Sequence, residues 1–225
     1  YYLPSGTIRD IETGKAVISG RNPDGSVIAK YTDEGVTPPK RVWNMKTHNA
    51  ETYGTNVLNA MIGKRFNYPK SLYAVQDTLR FFVANKPNAL IVDFFAGSGT
   101  TLHAVNLLNA EDGGHRRCIL VTNNEVSADE AKTLSAQGYQ PGDPEWEQYG
   151  IARYVTWPRT VCSIEGHDVN GKPLKGDYIT SGEEPMHMAD GFKANAAFFK
   201  LGFLDKNAVA LGRQFKELLP VLWLK

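Results

Sequence analysis

The chain has little of what would announce a metal centre or a disulfide scaffold. Its 225 residues include 2 cysteines, Cys118 and Cys162, without paired spacing, so neither a disulfide framework nor a zinc site is indicated. The 5 histidines, at positions 48, 103, 115, 167 and 187, form no ligand-spaced cluster, and no metal is expected. No apolar run approaches the roughly 18 residues of a membrane-spanning helix. No signal peptide is visible before Tyr1, so no membrane partner is expected and cytoplasmic residence is the default. Charge of one sign is missing too, with 25 basic residues against 24 acidic ones and a net charge of +1. A nucleic-acid-binding face is normally basic. Any such contact would rest on local residues such as Lys40, Arg41, Lys64 and Arg65, or on a region outside the chain. Such clusters are usually solvated surface. At 42% apolar residues the chain can bury a real core, and its length suits one or two domains.

The most informative segment is Leu90 to Thr101, Leu-Ile-Val-Asp-Phe-Phe-Ala-Gly-Ser-Gly-Thr-Thr. Its continuous apolar start suits a parallel strand covered on both faces, running through Asp93. Gly97 and Gly99 let the backbone turn sharply and approach a ligand closely. Thr100 and Thr101 can cap the helix predicted over Thr101 to Leu108. A ligand held there would sit at the carboxyl end of the strand. A phosphate-binding P-loop requires a lysine after its second glycine, and none lies between Pro87 and Gly114. A dinucleotide fingerprint requires a third glycine where Leu102 stands, so that reading is weakened.

The string Asp93 to Thr101 resembles the S-adenosylmethionine-binding motif of amino-group DNA methyltransferases, with Phe94 in place of the usual proline. Upstream, Phe66-Asn-Tyr-Pro-Lys-Ser-Leu-Tyr looks like the family's Phe-x-x-Pro-Lys-Pro segment, with Ser71 at the second proline. That segment, ahead of a helix predicted over Gln76 to Ala84, implies contact with the methionine part of the cofactor. Lys70 would offer charge to the cofactor carboxylate and Ser71 a hydroxyl or N–H, although Lys70 is also readable as a solvated lysine. Downstream, Cys118-Ile-Leu-Val-Thr is a second predicted strand ending near Glu125. The resemblance implies that this acid holds the ribose hydroxyls, which a carboxylate can accept from together. The competing reading is that Glu125 caps or flanks a helix over Ser127 to Ser135. The resemblance also assigns Asp93 to orienting the turn or the cofactor amine, and Phe95 to lining the site. Ala96, Gly97, Ser98, Gly99 and Thr100 would allow backbone contact.

The family's catalytic motif, Asp/Asn/Ser-Pro-Pro followed by an aromatic residue, serves an extruded base. No complete copy is present, and no catalytic residue is assigned. Thr37-Pro38-Pro39-Lys40 lacks both the acid and the ring. Asp143-Pro144-Glu145-Trp146 has Glu145 at the second proline and comes too soon after Glu125, so a proline- and glycine-rich loop from Gly138 is the expected structure. The chain begins at Tyr1 without an initiator methionine and stops soon after Trp223. The expectation is a carboxyl-side portion of a longer enzyme, β-class, adenine-specific and similar to type III methylation subunits. Alone it would be inactive, because its catalytic motif lies upstream or on another subunit. Double-stranded DNA would be the partner of the intact enzyme. A restriction or partner subunit, or a non-catalytic binding role within a split enzyme, stays open.

The expected fold is α/β, an incomplete Rossmann-like S-adenosylmethionine-dependent methyltransferase fold behind an N-terminal β-meander. Residues 1–45 are read as a β-rich segment and linker, and 46–225 as the cofactor-binding domain. In the meander, strands over Tyr2 to Asp10, Lys15 to Ser19 and Ser26 to Tyr31 are separated by Glu12-Thr-Gly and Asn22-Pro-Asp-Gly turns. Trp43 is read as a buried aromatic, with base stacking as the alternative. A short helix over Ala50 to Ile62 comes next. Ile151 to Glu165 is expected to be a helix kinked or broken at Pro158, and His167 to Gly191 an irregular loop or hairpin. Lys193 to Phe203 reads as a strand, and Asp205 to Leu222 as an amphipathic helix capped by Asp205. Thr156-Trp-Pro-Arg and Phe203-Leu-Asp loosely resemble the tails of adenine-specific methylation subunits.

Overall fold

Helical hydrogen bonding begins at Ser5, where the sequence pattern predicts a strand. The computed structural model describes residues 5–31, 41–182, 184–202, 206–210, 212, 216 and 219. It divides into two units, Tyr1–Asn44 and Met45–Lys225. In the first, α1 spans Ser5–Glu12 and leads to the antiparallel pair β1 (Ala16–Arg21) and β2 (Val27–Tyr31). The expected three-stranded meander is therefore a helix and a hairpin. The reason lies in spacing and termination: Ile8 and Ile11 stand three apart on one helical face, and Gly14 takes a left-handed φ of 74°. The Gly14 N–H donates to Ile11 O and the Lys15 N–H to Asp10 O, the paired bonds of a glycine helix stop. Tyr31 Oη donates to Asp10 Oδ2 at 3.0 Å and ties the hairpin to α1. Trp43 is partly buried. The Thr37–Lys40 segment lies outside the described residues.

The second unit opens with a 3-10 turn, Lys46–His48, and a π-helical turn, Glu51–Thr55, which leads into α2 (Asn56–Ile62). A Cβ at Gly54 would meet Pro69 O at 2.6 Å, so only glycine lets this helix lie against the Pro69-Lys70 backbone. Next come α3 (Leu72–Val83), β3 (Leu90–Asp93), α4 (Thr100–Asp112) and β4 (Arg117–Leu120). Strands β3 and β4 pair in parallel with Leu90 opposite Arg117 and Asp93 opposite Leu120, so α4 is the crossover of a β-α-β unit. The remaining helices are α5 (Ala128–Ala136), α6 (Pro144–Glu147), α7 (Trp157–Glu165) and α8 (Lys206–Ala210), with a short antiparallel pair, β5 (Asp177–Tyr178) and β6 (Met186–His187).

Helix α4 is buried continuously from His103 to Leu108, as befits an element with packing on several sides. Leu58, Met61 and Ile62 of α2, Leu72 and Tyr73 of α3, Ala104 and Leu107 of α4, and Cys162 of α7 share one core with Tyr178, Met188 and Phe192. Arg116, itself buried, clamps the far end of this layer. It donates to Val83 O and Ala84 O, which α3 leaves without helical partners, and pairs with Asp112 at 2.8 Å.

The structure corrects three expectations. Leu90 and Val92 are 49% and 45% exposed rather than buried, because the described parallel sheet has two strands and leaves one face of β3 partly open. Residues 193–202 form no strand, since no neighbouring strand pairs with them; Phe198 instead packs on Trp157 at 5.6 Å. Of the kink or break expected at Pro158, the break does not occur. A π-helical turn, Ala152–Thr156, precedes Pro158, and the Tyr154 carbonyl that a residue with an N–H would satisfy accepts from Arg65 Nη1 at 3.3 Å. Asp205 and most of the predicted terminal helix lie outside the described residues.

Candidate cofactor site

Strand β3 ends at Asp93, whose carboxylate organises the glycine turn beyond it. Its Oδ1 accepts from the Phe95 N–H at 3.0 Å and its Oδ2 from Thr101 Oγ1 at 2.6 Å, bridging the turn from entry to exit. Gly97 and Gly99 take φ of 51° and 76°, the left-handed region where a side chain is costly. The Ala96 N–H donates to Val121 O, fastening the turn to the end of β4. The N–H groups of Gly97 and Ser98 have no acceptor among the described residues, which leaves donors at the turn for a ligand.

The turn faces the Pro-Lys segment across a cleft of about 310 Å³. Phe66, Tyr68, Pro69 and Lys70 line one side, with Val75 of α3, while Asp93, Phe95, Ala96, Gly97, Ser98, Thr100 and Thr101 line the other. Two segments more than a helix apart in sequence thus converge at the carboxyl end of a parallel strand, where open α/β sheets bind ligands. Phe95 and Tyr68 are 93% and 94% exposed, an apolar rim facing water, and Tyr68 holds a φ of 59°. A non-glycine residue in that region stores strain, which collects at ligand sites.

The other candidates fall outside this wall. Gly99 packs behind it, where a Cβ would meet Thr156 Cγ2 at 3.2 Å. Ser71 is buried as the cap of α3: its hydroxyl accepts from the Ala74 N–H and donates to Thr47 O at 2.7 Å. Glu125 is exposed after β4, with Asn123 Nδ2 donating to its carboxylate at 3.0 Å, and it does not line the cleft. Nor does it cap α5; Ser127 does, its Oγ accepting from the Glu130 N–H and donating to the Glu130 carboxylate. Asp143 accepts from the Gln140 N–H and precedes the short helix α6, so Asp143-Pro144-Glu145-Trp146 is a loop-to-helix junction.

Sequence reasoning missed the group behind the turn. Arg159 of α7 is 0% exposed, and its Nη1 donates to Ser98 O, Ser98 Oγ and Thr100 Oγ1, the last at 2.8 Å. Its Nε donates to His103 Nδ1 at 3.4 Å, and His103 Nε2 lies 2.9 Å from Tyr178 Oη. Burial, and secondarily the Arg159 charge, holds the His103 pKa well below the ordinary histidine range, so the imidazole is neutral. With Nδ1 accepting, Nε2–H donates to Tyr178. The signal was available: Val155, Arg159 and Cys162 share one helical stripe whose other members are core, and a cation on such a stripe needs acceptors there. Thr156 completes the support by donating from Oγ1 to Gly97 O at 2.6 Å.

The cysteines do not contribute nucleophiles. Burial pushes the Cys118 thiol up to about 12 and the Cys162 thiol up to about 11. Among the described residues no group of three or more His, Cys, Asp or Glu could hold a metal ion. No described helix is long and apolar enough to cross a membrane.

A family model for N6/N4 Mtase proteins, described as DNA methylase, matches residues 10–133, more than half of the chain. The chain belongs to this DNA methylase family. The chain is 32% identical over 132 residues to the type III restriction-modification enzyme EcoPI Mod subunit of Escherichia phage P1, covering 58% of the chain and 19% of the relative. It is 41% identical over 86 residues to the type II methyltransferase M.KpnI of Klebsiella pneumoniae, covering 38% of the chain and 20% of that protein. It is 34% identical over 180 residues to the type III restriction-modification enzyme StyLTI Mod subunit of Salmonella typhimurium strain LT2, covering 75% and 26%. The chain therefore spans about a fifth to a quarter of the length of these relatives.

Proposed function

We propose that this chain is the S-adenosylmethionine-binding portion of a site-specific DNA methyltransferase that modifies adenine N6. The observation that carries the reading is the convergence of the Pro-Lys segment and the glycine turn on one cleft. The residues fit the cofactor's chemistry. Apolar walls from Phe66, Val75 and Phe95 suit a nucleoside and a thioether chain, Lys70 suits a carboxylate, and the free Gly97 and Ser98 N–H groups suit polar atoms. When bound, the cofactor supplies an electrophilic methyl group on sulfur.

Within this reading Asp93 holds the turn open by its bonds to Phe95 and Thr101. Phe95 and Tyr68 shield the ligand from water, and Gly97 to Thr100 bring backbone close to it. Glu125 would grip the ribose of a ligand that extends past the cleft. Ser71 contributes by fixing the start of α3 and the Lys70 backbone. The Asp-Pro-Pro-aromatic motif, the extruded base and the main duplex contact would come from other parts of the intact enzyme or from a partner subunit, as the similarity to Mod subunits suggests.

Isothermal titration with S-adenosylmethionine tests the reading. Saturable binding is expected, weakened by Glu125→Ala if the acid reaches the ribose. Unchanged affinity in that variant removes Glu125 from the site. Binding of NADH with none of the methyl donor overturns the assignment.

A further inference from the structure

We propose that Arg159 is the positioning residue of the cofactor cleft, a buried cation whose fork of donors locks the Ser98–Thr100 stretch into its ligand-accepting shape. The inference rests on the cofactor reading above. A fully buried guanidinium ordinarily needs an anion, because removing its charge from water is costly. Among the described residues Arg159 has no carboxylate within 4.0 Å; its donors go to three oxygens of the turn and one ring nitrogen. Two of those oxygens belong to Ser98 and one to Thr100, both of which line the cleft on their other side.

The geometry needs arginine specifically. The planar fork reaches the Ser98 carbonyl, two hydroxyls and His103 Nδ1 together, which a single ammonium could not do. The acceptors are set to receive it. His103 presents a bare Nδ1 while its other nitrogen is tied to Tyr178, whose ring stacks on Phe192 at 5.1 Å. Ser98 Oγ and Thr100 Oγ1 stand 3.1 Å apart, and both accept from Nη1. Arg159 draws the Ser98 carbonyl and both hydroxyls inward, while the Gly97 and Ser98 N–H groups keep no acceptor among the described residues.

The test compares the unsubstituted chain with Arg159→Met and Arg159→Lys, reading S-adenosylmethionine affinity by titration and amide exchange across residues 95–102. Arg159→Met should raise the dissociation constant at least tenfold and speed exchange in the turn about tenfold, with α3 protection and the far-ultraviolet spectrum kept. Arg159→Lys should recover less than half of the lost affinity on a logarithmic scale, because charge without the fork is insufficient. Wild-type affinity or wild-type turn exchange in Arg159→Met overturns the proposal. Should that variant not fold, Ser98→Ala with Thr100→Val removes both hydroxyl acceptors and leaves Arg159 in place. Faster turn exchange is then expected, and unchanged exchange refutes the role. Failure of the cofactor reading is a separate result: the unsubstituted chain would bind no methyl donor, while the exchange difference at the turn would persist.

Discussion

Gly99→Ala separates two costs that the glycine turn combines. Gly99 and Gly113 flank the same helix, α4, with φ of 76° and 69°, so an added Cβ meets the same left-handed penalty at both, about 1–2 kcal/mol. Their surroundings differ. At Gly113 a Cβ would have nothing within 4 Å, whereas at Gly99 it would lie 3.2 Å from Thr156 Cγ2 and 3.5 Å from Thr156 O. Overpacking of this kind costs about 1–3 kcal/mol. Gly113→Ala is therefore expected to lower stability by about 1–2 kcal/mol, and Gly99→Ala by about 2–5 kcal/mol. Urea unfolding checks this through a lowered midpoint at constant slope. Thr156→Ser keeps the hydroxyl that donates to Gly97 O but deletes the methyl group in the way. In the double variant the excess at Gly99 should shrink by about 1 kcal/mol, a coupling well within the range for residues in contact. Equal losses at the two glycines, or no coupling to Thr156, would refute the argument that Gly99 is required by packing as well as by φ.

Two further outcomes are expected from the turn and from the group behind it. Asp93→Ala removes an acceptor from both Phe95 N–H and Thr101 Oγ1; hydrogen bonds to a charged group are worth about 1.5–3 kcal/mol each, so methyl-donor affinity measured by titration should fall more than tenfold, and an unchanged affinity would deny Asp93 its place in the turn. His103 supplies a pH signature: its folded pKa is depressed by burial, so the unfolded chain binds the proton more readily and stability is complete above the unfolded value near 6.5. As pH falls below that value, this residue should cost up to about 1.4 kcal/mol per pH unit until the folded pKa is reached. The slope is the difference in urea-derived stability between pH 7 and pH 5, and a His103→Gln variant that kept the full slope would place its origin elsewhere.

Features written in adjacent residues were legible before the fold was known. The glycine turn and the Asn22 to Gly25 hairpin loop depend on local backbone chemistry and sit where their residue types require, whereas α4 starts at Thr100 with Gly99 as its cap, not a threonine side chain, and runs on to Asp112, four residues past the expected Leu108. The helix α1 was hidden because a short stretch with two isoleucines satisfies either period, and what decides it is the glycine stop two residues beyond its end. The stretch after Lys193 failed for a different reason: strand propensity is a capacity for pairing, and among the described residues no strand lies alongside it.

The support behind the cleft belongs to a third class, interactions between residues far apart in sequence. Arg159 stands about sixty residues beyond the turn it holds, so no window around Gly97 contains it. Periodicity nonetheless marks such residues. A cation on the buried stripe of a helix carries a desolvation cost that only specific acceptors can offset, and here those acceptors are Ser98, Thr100 and a neutral His103. The same logic explains Arg116, also buried and about thirty residues from the α3 carbonyls it satisfies. One arginine closes the far end of the α3–α4 layer and the other fixes the ligand end of β3 and α4, so both ends of α4 are set by buried cations. That arrangement holds the crossover helix still while leaving its first-turn neighbours, Gly97 and Ser98, able to contact a ligand.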